Sequence, residues 1–209
     1  MPEIKLLEDK AQQSQKHIKK NTYWLKNGVE VIRTPLPVGD YVLVNDKIQD
    51  VLDRKAKRGI EPKKMDFAGT YDICVDTKKD IQELVSDICG KQHDRFRDEC
   101  LWAKNNGVQL VILVENDKQE LTKDGSIVNK TIHSLDELHS WKNPRLFIRK
   151  GGKQVYPNAT KGITLQKCCH TMMWKYGVRF EFCSSAEAGA KVIELLKGEY
   201  ETQSKTCEK

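Results

Sequence analysis

One nine-residue stretch, Tyr71–Lys79, constrains this chain more than any other. It opens as a short apolar run suited to a buried strand, and it closes with an acid and an amine two positions apart, Asp76 and Lys78. Alternate residues of a strand point to the same face, so these two side chains share a face, and Asp72 lies on it as well. Charges removed from water need partners, and a metal ion together with a phosphate would provide them. The stretch therefore predicts a buried strand that carries a functional site.

A second acidic position lies upstream of this strand. Gly39 and Asp40 precede another candidate strand, Tyr41–Val44. Carboxylates on two neighbouring strands can hold a divalent cation, and an amine beside them can assist an attacking water, as metal-dependent phosphodiester cleavage requires. Two simpler interpretations stay open at this point. Asp76 and Lys78 can form an ordinary ion pair at a strand end, and Asp40 can be a turn residue after a glycine.

The remaining pattern indicates an α/β fold. The run Val108–Val114 is almost entirely apolar, as expected of a central strand buried on both faces. Between it and the strand at 72–77, residues 79–106 place apolar side chains at helical spacing, with Gly90 as a break point. Strand, helix and strand in this order indicate a crossover connection. Further strands are predicted at 4–8, 29–33, 41–44 and 178–183, with 29–44 as a hairpin-like unit, and further helices within 12–25, 163–176 and 186–196.

Length and charge set limits on the organisation of the chain. Its 209 residues suit one substantial domain, and the pattern requires no second one. We therefore predict a single domain over 1–198, followed by a polar tail at 199–209. The formal net charge of +6 suits a polyanionic partner, although a lysine-rich soluble surface accounts for it equally well.

The sequence also suggests a compartment. No apolar run approaches the ~20 residues that span a bilayer, and no signal peptide is apparent at the N-terminus, so we expect a cytoplasmic protein with no membrane partner. The seven cysteines include no CxxC pair. Reduced thiols packed as small hydrophobic side chains are therefore expected rather than a zinc site.

Residues 45–70 differ in character from their surroundings. They are rich in basic side chains and are interrupted by Gly59, Pro62 and Gly69. We predict a long, mobile basic loop between two strands, which is either a solvated surface segment or a flap that contacts a phosphate backbone. The candidate contacts in this loop are Arg54, Lys55, Lys57 and Arg58.

Taken in order, the motifs resemble the XPF-type (ERCC4-like) nuclease domain, a branch of the PD-(D/E)XK nuclease superfamily, of the phage or mobile-element type. Gly39–Tyr41 stands for the family's Gly-Asp, Val75–Lys78 for its Val-Glu-Arg-Lys, and Arg95–Phe96 for the Arg-Phe of the following helix. Leu7–Asp9 is similar to the start of the first family motif. Residues 10–12 then read Lys-Ala-Gln, so the Arg and Glu of that motif are absent.

The resemblance implies a restriction-endonuclease-like core, with a central mixed β-sheet flanked by helices. It implies a metal-dependent endonuclease that hydrolyses DNA phosphodiester bonds, with branched or flapped DNA as a substrate and Mg²⁺ or Mn²⁺ as cofactor. The expected partner is DNA, with a homodimer or a partner subunit as a further expectation, in a bacterial or phage-infected host cell. Because the first motif is incomplete, two alternatives stay open: a decayed nuclease fold that binds nucleic acid without cutting it, and a protein-interaction domain.

The same resemblance assigns roles to single residues. The catalytic candidates are Asp40, Asp76 and Lys78, and Lys78 would orient or deprotonate the attacking water and steady the developing charge. The metal-ligand candidates are Asp40, Asp76, the Thr77 carbonyl, Asp72 and Asp9. Arg95 on the long helix is a candidate phosphate contact outside the basic loop, and so is Lys161, on the separate ground that helix N-termini attract anions. For both residues a solvated helix face is the alternative.

Overall fold

A mixed β-sheet forms the centre of the computed structural model, which describes residues 4–12, 18–116 and 131–198. Within these residues the sheet has six strands: β1 (Lys5–Asp9), β2 (Glu30–Thr34), β3 (Tyr41–Leu43), β4 (Ile73–Lys78), β5 (Gln109–Glu115) and β8 (Arg179–Cys183). Their order is β2-β1-β3-β4-β5-β8. A separate two-stranded ribbon consists of β6 (Arg149–Lys150) and β7 (Lys153–Gln154).

The sheet combines both strand directions. Strand β1 is parallel to β2 and antiparallel to β3, and β3 is antiparallel to β4. Strands β4, β5 and β8 run parallel. Parallel neighbours need crossover connections, and helices supply them here. The predicted fold class, a central mixed sheet flanked by helices, is confirmed.

Helices cover both faces of the sheet. They are α1 (Ile18–Lys26), α2 (Asp46–Lys57), α3 (Ile81–Cys89), α4 (His93–Asn105), α5 (Gly162–Tyr176) and α6 (Ala188–Lys197), with short 3₁₀ turns at Lys64–Phe67, Asp136–Ser140 and Pro144–Phe147. Buried side chains of α2, α3, α4 and α5 share one core, and those of α1 and α6 share a second core on the opposite face. No helix among the described residues is long and apolar enough to cross a membrane.

The alternation of β4 decides where its polar end points. Cys74 belongs to the core under α3 and α4, whereas Val75 belongs to the core under α1 and α6. Asp76 and Lys78 follow Cys74 by two and four positions, so they face the α3 and α4 side. The predicted break in the long helix is also present, because α3 ends before Gly90, where a Cβ atom would lie 2.7 Å from the Ser86 carbonyl oxygen.

Two predicted elements were wrong. Residues 29–44 do not form a hairpin, because β1 lies between β2 and β3: Leu7 is the register partner of Ile32 on one side and of Val42 on the other. Residues 45–70 are not a mobile loop, because they contain α2. Asn45 caps this helix by accepting a hydrogen bond from the Ile48 N–H, 2.9 Å away, and Ile48 and Val51 are buried. The cap and the helical spacing of these two apolar residues were readable in the sequence, but the high charge obscured them.

Candidate active site

The backbone of Asp40 joins two strands of the sheet. Its N–H donates to the Val75 carbonyl in β4, 2.8 Å away, and its carbonyl accepts from the Asp9 N–H at the end of β1, also at 2.8 Å. Gly39 precedes it with φ +74°, and a Cβ atom at Gly39 would lie 2.8 Å from Cys74 Sγ. The glycine is therefore required twice, for its backbone conformation and for the close approach to β4.

We predict that Gly39→Ala destabilises the fold by about 2–4 kcal/mol, since it adds a steric clash to an unfavourable left-handed backbone. Gly28→Ala is the matched control, because Gly28 has a similar φ of +67° and open space around its Cα. We expect that control to lose only about 1 kcal/mol. Chemical denaturation measures both changes in the free energy of unfolding, and equal losses would contradict the close-packing argument.

The Asp40 carboxylate is buried against β4. Its Oδ2 accepts hydrogen bonds from the Thr77 N–H and the Thr77 Oγ1–H, both at 2.8 Å. Burial and then the nearby charge of Asp76 raise the pKa of Asp40 to about 8, although Lys78 and the Thr77 hydrogen bonds oppose this shift. A cation beside Asp40 would therefore stabilise its ionised form.

Asp76 and Lys78 form a buried ion pair that includes a third residue. Lys78 Nζ lies 2.8 Å from Asp76 Oδ2 and 2.7 Å from Asp87 Oδ2, and the side chains of all three are at most 7% exposed. The Phe96 ring centre is 5.3 Å from the same ammonium group. Burial alone would lower the pKa of Lys78, but the two carboxylates raise it above its ordinary value. Lys78 is thus held as a cation at neutral pH.

Glu99 and Asp87 are site residues that the sequence interpretation missed. Glu99 on α4 accepts a hydrogen bond from the Gly39 N–H at 3.4 Å. Burial and then the charge of Asp76 raise the pKa of Glu99 to about 7. Both acids could have been found from periodicity: Asp87 follows Leu84 by three positions, Glu99 follows Phe96 by three, and an acid on the apolar face of a helix needs a partner.

Asp40, Asp76, Lys78 and Glu99 meet in an open cleft of about 780 Å³. Five predicted metal-site or catalytic residues line it: Asp9, Asp40, Asp76, Thr77 and Lys78. Asp9 is tied to the cleft wall because its Oδ1 accepts from the Leu36 N–H at 3.1 Å. Glu99, Arg95, Lys64 and Lys79 line the cleft as well. The geometry therefore brings Asp9 of β1, Asp40 just before β3, Asp76 of β4 and Glu99 of α4 around one space, with basic side chains beside it.

Asp72 needs a correction, because it does not reach this space. It is exposed and precedes the first residue of β4, and its backbone carbonyl accepts from the Gln109 N–H. Four residues of extended strand separate it from Asp76, roughly 13 Å at ~3.3 Å per residue. A shared face does not bring two side chains together when they stand at opposite ends of a strand.

Of the predicted DNA contacts, one lines the cleft and the others do not. Arg95 lines the cleft, with its guanidinium 3.8 Å from Asp87 and 64% of its side chain exposed. Arg54 pairs with Asp50, and Lys55 pairs with Asp66, on the surface of α2 and its flank. Lys57, Arg58 and Lys161 are exposed. None of these residues other than Arg95 lines the cleft, where Lys64 and Lys79 stand instead.

The donor set fits a magnesium-type cation. Mg²⁺ is commonly bound through one or two carboxylates, and waters and substrate phosphates complete its shell. Asp40 and Asp76 each use one carboxylate oxygen in the contacts above, which leaves their other oxygens available. Among the described residues, no group of three or more His, Cys, Asp and Glu side chains is gathered closely enough to enclose a metal by itself. The site therefore suits a hydrated cation shared with substrate.

We predict that divalent cations stabilise the protein more at pH 8 than at pH 6. A carboxyl with a raised folded-state pKa stabilises the fold most below its unfolded pKa of 3.8, and this contribution is lost as pH rises through about 8. Without metal, the ionising Asp40 therefore weakens the fold across this range, and a bound cation offsets the charge. Thermal denaturation with Mg²⁺ or EDTA measures the difference, and Asp40→Asn should remove most of it. Equal metal effects at both pH values would contradict the prediction.

Comparisons with known proteins identify a family and similar folds. The family model described as "ERCC4 domain" matches residues 9–196. Among solved structures, XPF from Aeropyrum pernix aligns with a TM-score of 0.50 and 13% identity, over 93% of this chain and 64% of that one. The same protein in complex with DNA aligns with a TM-score of 0.50 and 13% identity, over 98% of this chain and 68% of that one. A comparison with curated proteins finds no match.

Proposed function

Because this chain belongs to the ERCC4 domain family, we propose that it is a metal-dependent endonuclease that hydrolyses phosphodiester bonds in DNA, with branched or flapped DNA as its substrate class. The observation that carries this proposal is the meeting of Asp40, Asp76, Glu99 and Lys78 in one open cleft. Burial of several acids beside one fixed ammonium group lowers the stability of the fold, so a functional role explains the arrangement better than a structural role.

Asp40 and Asp76 would hold the cation, with the Thr77 carbonyl and Asp9 as further oxygen donors on the cleft wall. A bound Mg²⁺ or Mn²⁺ would polarise the scissile phosphate and help to generate a nucleophile at neutral pH. The chain fixes these donors in advance: the Asp40 backbone bridges β1 and β4, and its carboxylate is held by Thr77. Such preorganisation avoids reordering at the moment of reaction.

Lys78 acts as an electrostatic group rather than as a proton acceptor. Its pKa is raised and its ammonium already lies between two carboxylates, so it retains its proton at neutral pH. From this position its N–H groups can stabilise the negative charge that develops on the phosphoryl oxygens. Glu99 is better suited to exchange a proton, since a pKa of about 7 is close to the working pH of a general acid or base.

DNA as the substrate is supported by charge and by the fold. The net charge is +6, and Lys64, Lys79 and Arg95 line the cleft, where they can contact phosphates. One of the aligned XPF structures is a complex with DNA, which is a property of that protein. This chain spans 64% and 68% of the two XPF chains, so activity and substrate choice are proposals for this chain.

The test is cleavage of labelled duplex, flap and single-stranded DNA by the parent protein, in Mg²⁺, in Mn²⁺ and in EDTA. Asp40→Asn/Asp76→Asn, purified in parallel, serves as the reference for contaminating nucleases. We expect metal-dependent cutting by the parent alone, fastest on the flap. Equal cutting by the parent and the double variant would show that Asp40 and Asp76 take no part in cleavage.

One observation favours a second candidate, a nuclease fold that binds DNA without cutting it. Ala11 and Gln12 line the cleft and supply no charge at the positions where the resemblance expects Arg and Glu. Salt-sensitive DNA binding by the parent, with no cleavage in any metal, would establish this candidate in place of the nuclease.

A further inference from the structure

A short basic ribbon beside the cleft is not used by any role described above. It belongs to residues 143–160, a segment that we call the basic arm and that contains β6 and β7. The arm carries four basic side chains and no acidic one: Arg145, Arg149, Lys150 and Lys153. The arm lies within a longer stretch, 138–180, that contains no acidic residue, so the net charge of the arm is positive.

The tip of the basic arm is a tight turn flanked by two lysines. Gly151 and Gly152 have φ of +58° and +76°, and two consecutive positive φ values are characteristic of a type I′ hairpin. Lys150 and Lys153 are direct register partners across the ribbon. Like charges directly opposite each other weaken a strand pair, so this arrangement costs stability unless an anion lies against it.

The basic arm has internal order that holds the tip in place. The Val155 N–H donates to the Ile148 carbonyl at 2.8 Å and continues the pairing beyond the two strands. The Arg145 guanidinium lies 5.9 Å from the centre of the Tyr156 ring. Lys150 and Lys153 are exposed, and no carboxylate among the described residues lies within ion-pair distance of either one. The tip therefore presents two ammonium groups that no carboxylate of the described residues neutralises, and it holds them on a defined backbone.

Asn143 fixes the basic arm next to the cleft. This residue is only 1% exposed, and its side-chain amide donates to the Thr160 carbonyl at 3.0 Å, which closes the two ends of the arm. Its Oδ1 accepts from the Arg145 N–H and from Gln82 Nε2, at 3.1 and 3.0 Å. Gln82 lies in the first turn of α3, and the next residue, Glu83, lines the cleft. The base of the arm thus contacts a residue whose neighbour in the chain lines the cleft.

We infer that the basic arm binds the phosphate backbone of duplex DNA whose scissile bond lies in the cleft. This inference rests on the proposed function and adds a contact surface outside the reacting atoms. A two-stranded ribbon is narrow enough to enter the major groove of a duplex. Each ammonium group that neutralises a phosphate releases a counterion, so the contact strengthens binding without reading sequence.

The test compares the parent with Lys150→Ala/Lys153→Ala in binding to a labelled duplex, in EDTA, over a range of salt concentrations. The control is Lys26→Ala/Lys197→Ala, which removes the same charge from exposed positions on α1 and α6, on the other face of the sheet. We expect the arm variant to bind roughly tenfold or more weakly at ~0.1 M salt, with a log–log salt slope shallower by ~1.8, or ~0.9 per phosphate contact. Lys150→Arg/Lys153→Arg should bind like the parent.

Several results would overturn the inference. They are an unchanged affinity and slope in the arm variant, or an equal loss in the control variant. Cleavage by the parent is measured separately, so the two proposals can fail independently. A parent that cuts DNA while the arm variant binds normally overturns the arm contact alone. A parent whose binding depends on the arm but which does not cut overturns the nuclease alone, and a parent that binds no duplex overturns the arm contact, whatever it cuts.

Discussion

Asp76→Asn should lower the rate of DNA cleavage by about 10³-fold, with little loss of stability. The substitution keeps the shape of the side chain and an oxygen that can accept from Lys78, but it removes the negative charge that would attract a cation. Loss of one preorganised electrostatic group in an active site commonly costs about 10²–10³ in rate, and loss of a metal ligand adds to this. The measurement is the single-turnover rate on labelled flap DNA with saturating Mg²⁺.

The matched control for this variant is Asp72→Asn. Asp72 precedes the same strand and undergoes the same chemical change, but it is exposed and outside the cleft. We expect it to cut DNA at the parent rate. Asp76→Asn should also lower the pKa of Asp40 and of Glu99, because Asp76 is the largest charge that raises both. Similar rates for the two asparagine variants would show that the cleft does not distinguish them and would contradict the proposed roles.

Lys78→Met should destabilise the fold by about 3–5 kcal/mol and abolish cleavage. The methionine fills a similar volume, but Asp76 and Asp87 then remain buried without their shared cation. Removal of one partner of a buried ion pair is costly because the remaining charge is neither solvated nor paired. The side chain of Lys78 is 6% exposed, so solvent screening gives little relief. Urea denaturation gives the change in the free energy of unfolding.

Two further variants separate the ion pair from general effects of the substitution. Lys79→Met changes the neighbouring exposed lysine and should alter stability by no more than about 0.5 kcal/mol. Lys78→Met/Asp87→Asn removes one of the two carboxylates that Lys78→Met leaves buried without a cation, so the double variant should be more stable than Lys78→Met alone. If Lys78→Met unfolds at the same urea concentration as the parent, the ion pair contributes nothing to the fold.

Local pattern was enough to predict several parts of this protein. The apolar run of β5 needs burial on both faces, and the spacing of Asp76 and Lys78 places them on one side of β4, because strand alternation is a property of the chain itself. The order of short motifs pointed to the ERCC4 family, and the match over 9–196 confirms that assignment. The assignment of the phage or mobile-element type stays a prediction.

Other parts depended on contacts between distant segments. The position of β1 between β2 and β3 depends on contacts between segments that are distant in sequence. No local signal distinguished this arrangement from a hairpin of β2 with β3. The helix at 46–57 was predicted as a loop because its many charged residues obscured the helical spacing of its apolar ones. Asp87 and Glu99 look like ordinary helix acids in the sequence, and only the packing of α3 and α4 against β4 brings them to Lys78 and Gly39.

Residue type fixes which side chains carry reactive groups, and the two-residue period of a strand fixes the side on which each one lies, so both could be predicted without a structure. The tertiary structure alone decided which of them meet. Asp40 joins Asp76 because its backbone bridges β1 and β4, whereas Asp72 is excluded by its distance along the same strand. Tertiary packing also decided the charge of Lys78: burial alone would lower its pKa, but Asp76 and Asp87 raise it, so the amine stays protonated at neutral pH.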